Sequence, residues 1–289
     1  MARVMVMTDS VAGIPRNLAE EYHITVVPAA IIIFDGHNYI DGVTLSATEA
    51  YQLIKKDPDK FTTSALNPGY FLEEYQKLSQ KSPDILHITL SSALSANYKT
   101  AGLAGEMLQK ESPKTNLRLF DAKTVAGAQG LIVLAAARAA TQGKNLEEVV
   151  AIAEKAREKT RGLMMLDTLR YVYRTGRMSK FASRVAALLN IKPINRMTEE
   201  GTLEFVDKVR NREAGYQKLI DLIKAEAESN SLHFMLMHAA APEMAERLSQ
   251  LLRQNFDCQR ILISEYSPVM GYGSGPGSIF VGFHPDLEF

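Results

Sequence analysis

The chain has 289 residues, with 33 Lys and Arg against 33 Asp and Glu, and 46% of its residues are hydrophobic. A formal net charge of zero argues against nucleic-acid binding and against attachment to an anionic membrane surface, because both need an excess of positive charge. Its one cysteine, Cys258, allows no internal disulfide, and the histidines lack the spacing of a metal site, so we expect a cytoplasmic protein without a bound metal.

The first residues do not have the pattern of a signal peptide, because no apolar segment follows a basic one. The longest apolar runs, within 26–34 and 130–140, are shorter than the roughly 20 residues that a transmembrane helix needs. We therefore expect no stable membrane insertion.

Strand-like and helix-like segments alternate through the first half of the chain. Strands are predicted at 3–8, 24–34 (one strand or two, separated at Pro28), 84–90 and 116–120. Helices are predicted after Pro15, over 93–108, over the Ala-rich segment 126–143, which we expect to be buried, and over 146–162 with Gly162 as its C-cap. This alternation is typical of βαβ units and predicts a mainly parallel sheet flanked by helices.

The pattern changes after residue 160, where a second α/β unit is predicted. Its strands are expected at 162–167, 201–209, 231–238, 259–267 and 278–283, and its helices near 183–190 and over 212–229 and 242–254. The predicted fold is therefore α/β with two α/β domains, 1–160 and 161–289.

Three polar loops follow strand-like runs, at 8–10, 62–64 and 91–97. Ligands bind beyond the carboxyl ends of the strands in open parallel sheets, so these loops are candidate binding sites. The serine-rich loop 91–97 also precedes a predicted helix, whose unpaired N–H groups favour an anion such as a carboxylate or a phosphate. Each loop fits a simple turn or helix cap equally well, and the residues alone leave both interpretations open.

Two further segments have unusual composition. The glycine-rich stretch 271–277 precedes a strand-like run instead of a helix, which argues against a dinucleotide fingerprint and predicts a turn. The segment 170–179 combines three arginines with aromatic residues, which suits recognition of an anion or a partner, or a helix C-terminus capped by Gly176.

No catalytic constellation stands out. There is no phosphate loop or nucleophile elbow, and no Ser, His and carboxylate set is recognisable. We expect Cys258 to be inert, and we expect His87 and His238 to be interior imidazoles.

Taken in order, seven short motifs resemble the DegV family of bacterial lipid-binding proteins. They are T-D-S (8–10), T-S (63–64), S-S-A-L-S (91–95), D-A-K (121–123), L-R-Y-V-Y-R-T-G-R-M-S (169–179), I-K-P-I (191–194) and G-S-G-P-G (273–277). The resemblance implies two α/β domains with a tunnel between or within them that holds one long-chain fatty acid. It also implies a fatty-acid-binding subunit of a bacterial fatty acid kinase, whose separate ATP-binding subunit makes an acyl phosphate for phospholipid synthesis.

The resemblance assigns roles to particular residues. The carboxylate of the fatty acid is expected at Thr63 and Ser95, with Ser64 and Ser92 in the same motifs. Arg177 falls on the family's arginine linked to kinase interaction or phosphoryl transfer.

This chain departs from the family pattern in the glycine-rich stretch. Gly273 stands where many members have a histidine near the carboxylate, and we hypothesise that the neighbouring Tyr272 replaces that donor. The resemblance thus predicts a carrier with no catalytic residue and no cofactor besides its fatty-acid ligand. The alternative is an enzyme that acts on a small phosphorylated or carboxylated substrate at the same loops.

Overall fold

The computed structural model describes residues 3–177 and 191–287. The predicted helix near 183–190 and Ser179 of the arginine-rich motif lie outside the described residues. The strands, in chain order, are β1 (Met5–Asp9), β2 (Thr25–Val27), β3 (Ile31–Phe34), β4 (His37–Ile40), β5 (Phe61–Ser64), β6 (Asp84–Thr89), β7 (Asn116–Asp121), β8 (Arg161–Met165), β9 (Lys192–Met197), β10 (Leu203–Val209), β11 (Ser231–His238), β12 (Asp257–Glu265) and β13 (Ile279–Pro285).

The helices, in chain order, are α1 (Arg16–Glu21), α2 (Ala47–Lys56), α3 (Pro68–Ser79), α4 (Asn97–Glu111), α5 (Ala126–Thr141), α6 (Leu146–Lys159), α7 (Arg170–Arg174), α8 (Arg212–Glu226), α9 (Pro242–Asn255) and α10 (Pro268–Ser274). Two short 3-10 helices lie at Ser10–Ala12 and Pro58–Lys60.

Three sheets carry these strands. The first is parallel, with the order β2-β1-β6-β7, and the second is an antiparallel sheet with the order β4-β3-β5. The third is mixed and has the order β10-β9-β8-β13-β11-β12. Pro28 separates β2 from β3, which belong to different sheets, because proline cannot donate to a central ladder.

Helix α5 lies between the parallel sheet and the six-stranded sheet. All its residues except Arg138 and Thr141 are buried, as its composition predicts, and it contacts β1 on one side and β11 and β13 on the other. Glycines allow this close approach: a Cβ atom at Gly282 of β13 would lie 2.4 Å from the backbone nitrogen of Ala128, and one at Gly127 would lie 2.2 Å from the carbonyl oxygen of Met235.

The predicted α/β fold, with a parallel sheet flanked by helices, is confirmed. The six-stranded sheet begins at Arg161, and the strands before it form the other two sheets. The exact division at residue 160 stays a prediction, because α5 packs against both parts of the chain.

Two predictions about glycines are wrong. Gly162 does not cap α6, which ends at Lys159 with Thr160 as its C-cap. Gly162 belongs to β8, where a Cβ atom would lie 2.5 Å from the Phe280 ring of the neighbouring strand.

The glycine-rich stretch is not a continuous turn either. Residues up to Ser274 form the last part of α10, which begins at Pro268, a favourable first position for a helix. The turn is confined to residues 275–278, where Gly275 and Gly277 have φ angles of +81° and +82°.

A buried carboxylate joins the ends of three elements. Asp9, at the end of β1, accepts hydrogen bonds from the backbone nitrogen of Leu90 (2.7 Å), the backbone nitrogen of Val11 (3.1 Å) and Nε2 of Gln129 on α5 (3.2 Å). Burial raises the pKa of Asp9 to about 6, although these hydrogen bonds oppose the shift.

Within the described ranges, no helix is long and apolar enough to cross a membrane.

Replacing Gly282 by alanine should separate α5 from the six-stranded sheet. We expect the free energy of unfolding to fall by ~1–3 kcal/mol, as is typical of overpacked cores. The control is Gly102→Ala in α4, where a Cβ atom would lie an ordinary 3.7 Å from Leu119; it should be neutral or stabilise the protein by up to about 1 kcal/mol. Urea unfolding measures both variants, and equal stability of the two would contradict this packing.

The raised pKa of Asp9 should make the stability of the protein depend on pH. Between about pH 4 and about pH 6 the folded chain keeps this proton while the unfolded chain has lost it, so stability falls as the pH rises. Relative to Asp9→Asn, the wild-type protein should lose about 2 kcal/mol of unfolding free energy between about pH 4 and about pH 7. Urea unfolding at a series of pH values measures the difference, and parallel curves for the two proteins would contradict it.

Candidate functional site

An apolar cavity of about 190 Å³ lies where the three sheets meet. A buried water needs about 10–15 Å³ of such space, so the cavity has room on the order of 15 water-sized groups. Its buried walls come from both halves of the chain, and they include Val11, Leu90, Val125, Met164, Val172 and Leu203. A single ligand of mainly apolar character would match this size and lining.

The structure places six of the seven predicted site residues on this cavity. These are Thr63, Ser64, Ser95, Arg177, Tyr272 and Gly273. Ser64, Ala96 and Arg177 are exposed lining residues, and we call the part of the cavity that they surround the mouth.

Ser92 is the exception. It is exposed and does not line the cavity, because its backbone nitrogen and its hydroxyl both donate to the carboxylate of Asp121 at the end of β7. Ser92 therefore caps a loop, and its place beside a ligand carboxylate stays a prediction.

The loop before α4 holds Ser95 at the cavity. The backbone nitrogen of Ser95 donates to the carbonyl of Ser91 (3.1 Å), and its hydroxyl accepts from the backbone nitrogen of Asn97 (3.2 Å). The Ser91 hydroxyl donates to the carbonyl of Gly201 (2.7 Å), in the turn between β9 and β10. The serine-rich loop is therefore fixed to both halves of the chain.

Thr63 and Arg177 keep hydrogen-bonding capacity for a ligand. In the part of the chain that the structure describes, the Thr63 hydroxyl has no hydrogen-bond partner. The Arg177 guanidinium donates to the carbonyl of Thr175 (2.7 Å) and to the carbonyl of Leu94 (3.4 Å), and it forms no ion pair with a described carboxylate. An anion at the mouth would therefore meet a hydroxyl and a positive charge that is not neutralised.

A second buried acid connects three segments of the cavity wall. Asp41 accepts a hydrogen bond from the hydroxyl of Ser10 and another from the backbone nitrogen of Val269 (2.9 Å). The same Ser10 hydroxyl accepts from the backbone nitrogen of Ala29 (3.0 Å). Burial raises the pKa of Asp41. The T-D-S motif therefore positions cavity walls and does not itself line the cavity with a carboxylate.

Tyr272 is held by aromatic stacking. Its ring lies 4.9 Å from the ring of Phe61, and the two planes are 23° apart. The guanidinium of Arg174 lies 6.0 Å from the Tyr272 ring and pairs with Asp59 (3.3 Å), and it also donates to the carbonyl of Pro58. Sequence reasoning missed this role of Arg174, although the residue belongs to the arginine-rich motif.

The next residue along α10, Gly273, faces open space. A Cβ atom at Gly273 would meet no other atom within 4 Å. The position therefore has room for a side chain, although this chain has none there.

The other titratable residues considered from the sequence lie away from the cavity. His87 bonds the Tyr75 hydroxyl (2.7 Å), and burial lowers its pKa to about 3. His238 accepts from the backbone nitrogen of Ala241 (3.3 Å), and burial raises the pKa of Cys258. Across residues 3–177 and 191–287, no group of three or more His, Cys, Asp or Glu side chains could hold a metal ion.

Comparison with known proteins gives a consistent result. The family model described as "Uncharacterised protein, DegV family" matches residues 3–286. A DegV domain-containing protein of Caldanaerobacter subterraneus is 32% identical over 289 residues, which cover 98% of this chain and 99% of the relative.

Two solved structures have the same fold. A fatty-acid-binding DegV family protein from Thermus thermophilus superposes with a TM-score of 0.90 and 23% identity, over 98% of this chain and 100% of the other. The Streptococcus pneumoniae Fatty Acid Kinase (Fak) B3 protein, loaded with linoleic acid, gives a TM-score of 0.87 and 21% identity over the same shares of the two chains. On the strength of the family match and the Caldanaerobacter relative, the chain belongs to the DegV family.

Proposed function

We propose that this protein binds one long-chain fatty acid in the apolar cavity, with the carboxylate at the mouth. The observation that carries the proposal is the combination of an apolar cavity with hydroxyls and an arginine without an ion pair at its exposed part. The proposed carboxylate contacts are Thr63 and Ser95, with Ser64, Tyr272 and Gly273 around them.

The energetics of a fatty acid suit this lining. Each buried CH₂ group contributes about 0.8 kcal/mol, so a long acyl chain supplies most of the binding free energy. The carboxylate needs hydrogen bonds when it leaves water, because an unpaired buried charge is costly. The hydroxyls of Thr63 and Ser95 can donate these bonds without a fixed charge inside the cavity, which keeps the acid releasable.

The relatives support this ligand. The Thermus thermophilus protein is described as fatty-acid-binding, and the pneumococcal protein holds linoleic acid. Both share the fold of this chain over almost its whole length.

We further propose that the bound acid is presented to a separate ATP-dependent kinase subunit, which forms the acyl phosphate used in phospholipid synthesis. The name of the pneumococcal relative supports this partner. Arg177 is exposed beside the mouth, where it can meet the partner or the transferred phosphoryl group. In this role the chain is a cytoplasmic carrier without turnover of its own.

The alternative, an enzyme for a small phosphorylated or carboxylated substrate at these loops, is less well supported. Such a substrate would bury little apolar surface, whereas most of the lining side chains are apolar. Turnover by the isolated chain would favour the alternative.

The proposed location of the cavity between two domains, 1–160 and 161–289, follows from walls contributed by both parts.

Removing the two hydroxyls at the mouth should abolish ligand retention. Native mass spectrometry of the purified wild-type protein should show a mass increment that matches a long-chain fatty acid, and the Thr63→Ala/Ser95→Ala variant should lack it. Losing two hydrogen bonds to a charged group lowers affinity by roughly 10²-fold or more.

The matched control is Thr62→Ala/Ser92→Ala, which removes two exposed hydroxyls outside the cavity. It should retain the ligand. Tyr272→Phe keeps the stacking on Phe61 and tests the tyrosine hydroxyl alone; unchanged affinity would remove it from the proposed contacts. A wild-type protein that stays empty after incubation with oleic acid would contradict the proposal.

Arg177 should matter for phosphoryl transfer more than for binding. With a purified kinase subunit and ATP, Arg177→Gln should lower the rate of acyl-phosphate formation by roughly 10²-fold, because a positive charge aimed at the reacting group is lost. Hydroxylamine trapping measures the product. Arg170→Gln, which changes an exposed arginine at the start of α7 that does not line the cavity, should react at the wild-type rate. Equal rates for both variants would exclude this role of Arg177.

A further inference from the structure

A second cavity, of about 660 Å³, shares no lining residue with the apolar cavity. It lies between the loop that follows β7, the C-terminal end of α6, the strands β8, β9 and β10, and the end of α8. Charged and hydroxyl-bearing side chains dominate its walls. A polar cavity of this size is unsuited to an acyl chain and calls for a polar ligand.

Two arginines in this cavity lack a carboxylate partner. Arg157 donates to the carbonyl of Asp121 (3.0 Å) and its guanidinium lies 4.6 Å from the Phe120 ring, while Arg161 donates to the carbonyls of Glu158 (2.7 Å) and Thr160 (3.1 Å). Within residues 3–177 and 191–287, neither guanidinium forms an ion pair. Both keep free N–H donors, although Glu226 and Glu228 lie near enough to Arg161 to interact with its charge.

A third arginine on the same wall behaves differently. Arg196 pairs with Glu204 (2.9 Å) and Glu226 (3.5 Å), so its charge is already compensated. Arg157 and Arg161 therefore differ from Arg196 in forming no ion pair, although acidic residues line the same cavity.

Thr124 supplies an independent observation. The residue is 7% exposed and lines this cavity, and its hydroxyl is buried without a hydrogen-bond partner. A buried hydroxyl without a partner is unfavourable, and such groups are rare in folded proteins. Because Thr124 also lines the polar cavity, a ligand bound there can complete the hydrogen bonding of this hydroxyl.

The backbone around Thr124 is strained. Lys123 and Ala126 have φ angles of +51° and +53°, in the left-handed region that non-glycine residues rarely adopt. Such strain persists only where the surrounding structure enforces it, and it concentrates at binding sites. The loop is held in place by the carbonyl of Thr124, which accepts from the backbone nitrogen of Ser91 (2.9 Å).

We propose that this polar cavity is a second binding site, for a small phosphate monoester with a hydroxyl-bearing body. The planar guanidinium groups of Arg157 and Arg161 match phosphate oxygens, and the Thr124 hydroxyl donates a further hydrogen bond. The exposed carboxylates of Glu158 and Glu199 lie at the rim, where they accept hydrogen bonds from the hydroxyls of the body and repel larger polyanions.

Isothermal titration with inorganic phosphate and with glycerol 3-phosphate tests the site. Both should bind saturably and glycerol 3-phosphate more tightly, whereas neutral glycerol should not bind. Thr124→Val should weaken the binding of both anions by about fivefold, and Arg161→Gln should weaken it by more than about tenfold. Because Thr124→Val removes an unpartnered buried hydroxyl without changing the shape of the side chain, it should not destabilise the fold.

Two controls decide between this site and others. Thr89→Val removes another buried threonine hydroxyl without a partner, which lines neither cavity, and it should bind phosphate as the wild-type protein does. Thr63→Ala/Ser95→Ala should also bind phosphate normally, even though we expect it to lose the fatty acid. Three results would each overturn the proposal. The double variant could lose phosphate binding, or Thr124→Val and Arg161→Gln could both bind phosphate as the wild-type protein does. The third is that the wild-type protein shows no saturable binding below roughly 10 mM.

Discussion

Two buried carboxylates position the walls of the apolar cavity. Asp9 joins the end of β1 to the residue after β6 and to α5, and Asp41 joins Ser10 to the start of α10. Each carboxylate is buried at an energetic cost, which its hydrogen bonds to backbone N–H groups and side-chain donors offset. Because these acceptors fix loops that come from distant parts of the chain, the cavity depends on them although neither acid lines it.

The apolar cavity and the polar cavity differ in the polar groups that line them. The apolar cavity has hydroxyls and, among the described residues, one arginine at its mouth, whereas the polar cavity has several charges and a buried hydroxyl. They lie close in the chain, because Thr124 lines one and Val125 lines the other. The loop after β7 therefore contributes to both cavities, and its strained backbone belongs to the wall between them.

Much of the fold could be predicted from the sequence, because alternating strand and helix patterns are local. The break at Pro28 and the buried α5 follow from residue type alone. Gly162 shows the limit of prediction from the sequence. A glycine after a helix suggests a C-cap, but this glycine lies in β8, where it packs against the Phe280 ring of a neighbouring strand. The motifs named Thr63 and Ser95, which line the cavity, whereas Asp41 and Arg174 act through contacts across long stretches of chain.

The packing of α5 has a consequence for how ligands exchange. Its backbone touches the six-stranded sheet at Gly127 and Gly282, and its opposite side contacts β1. Contact this close leaves no room for a hinge between the two halves, because a small rotation would drive backbone atoms into one another. A ligand of the apolar cavity must therefore exchange without rotation of the two halves about α5.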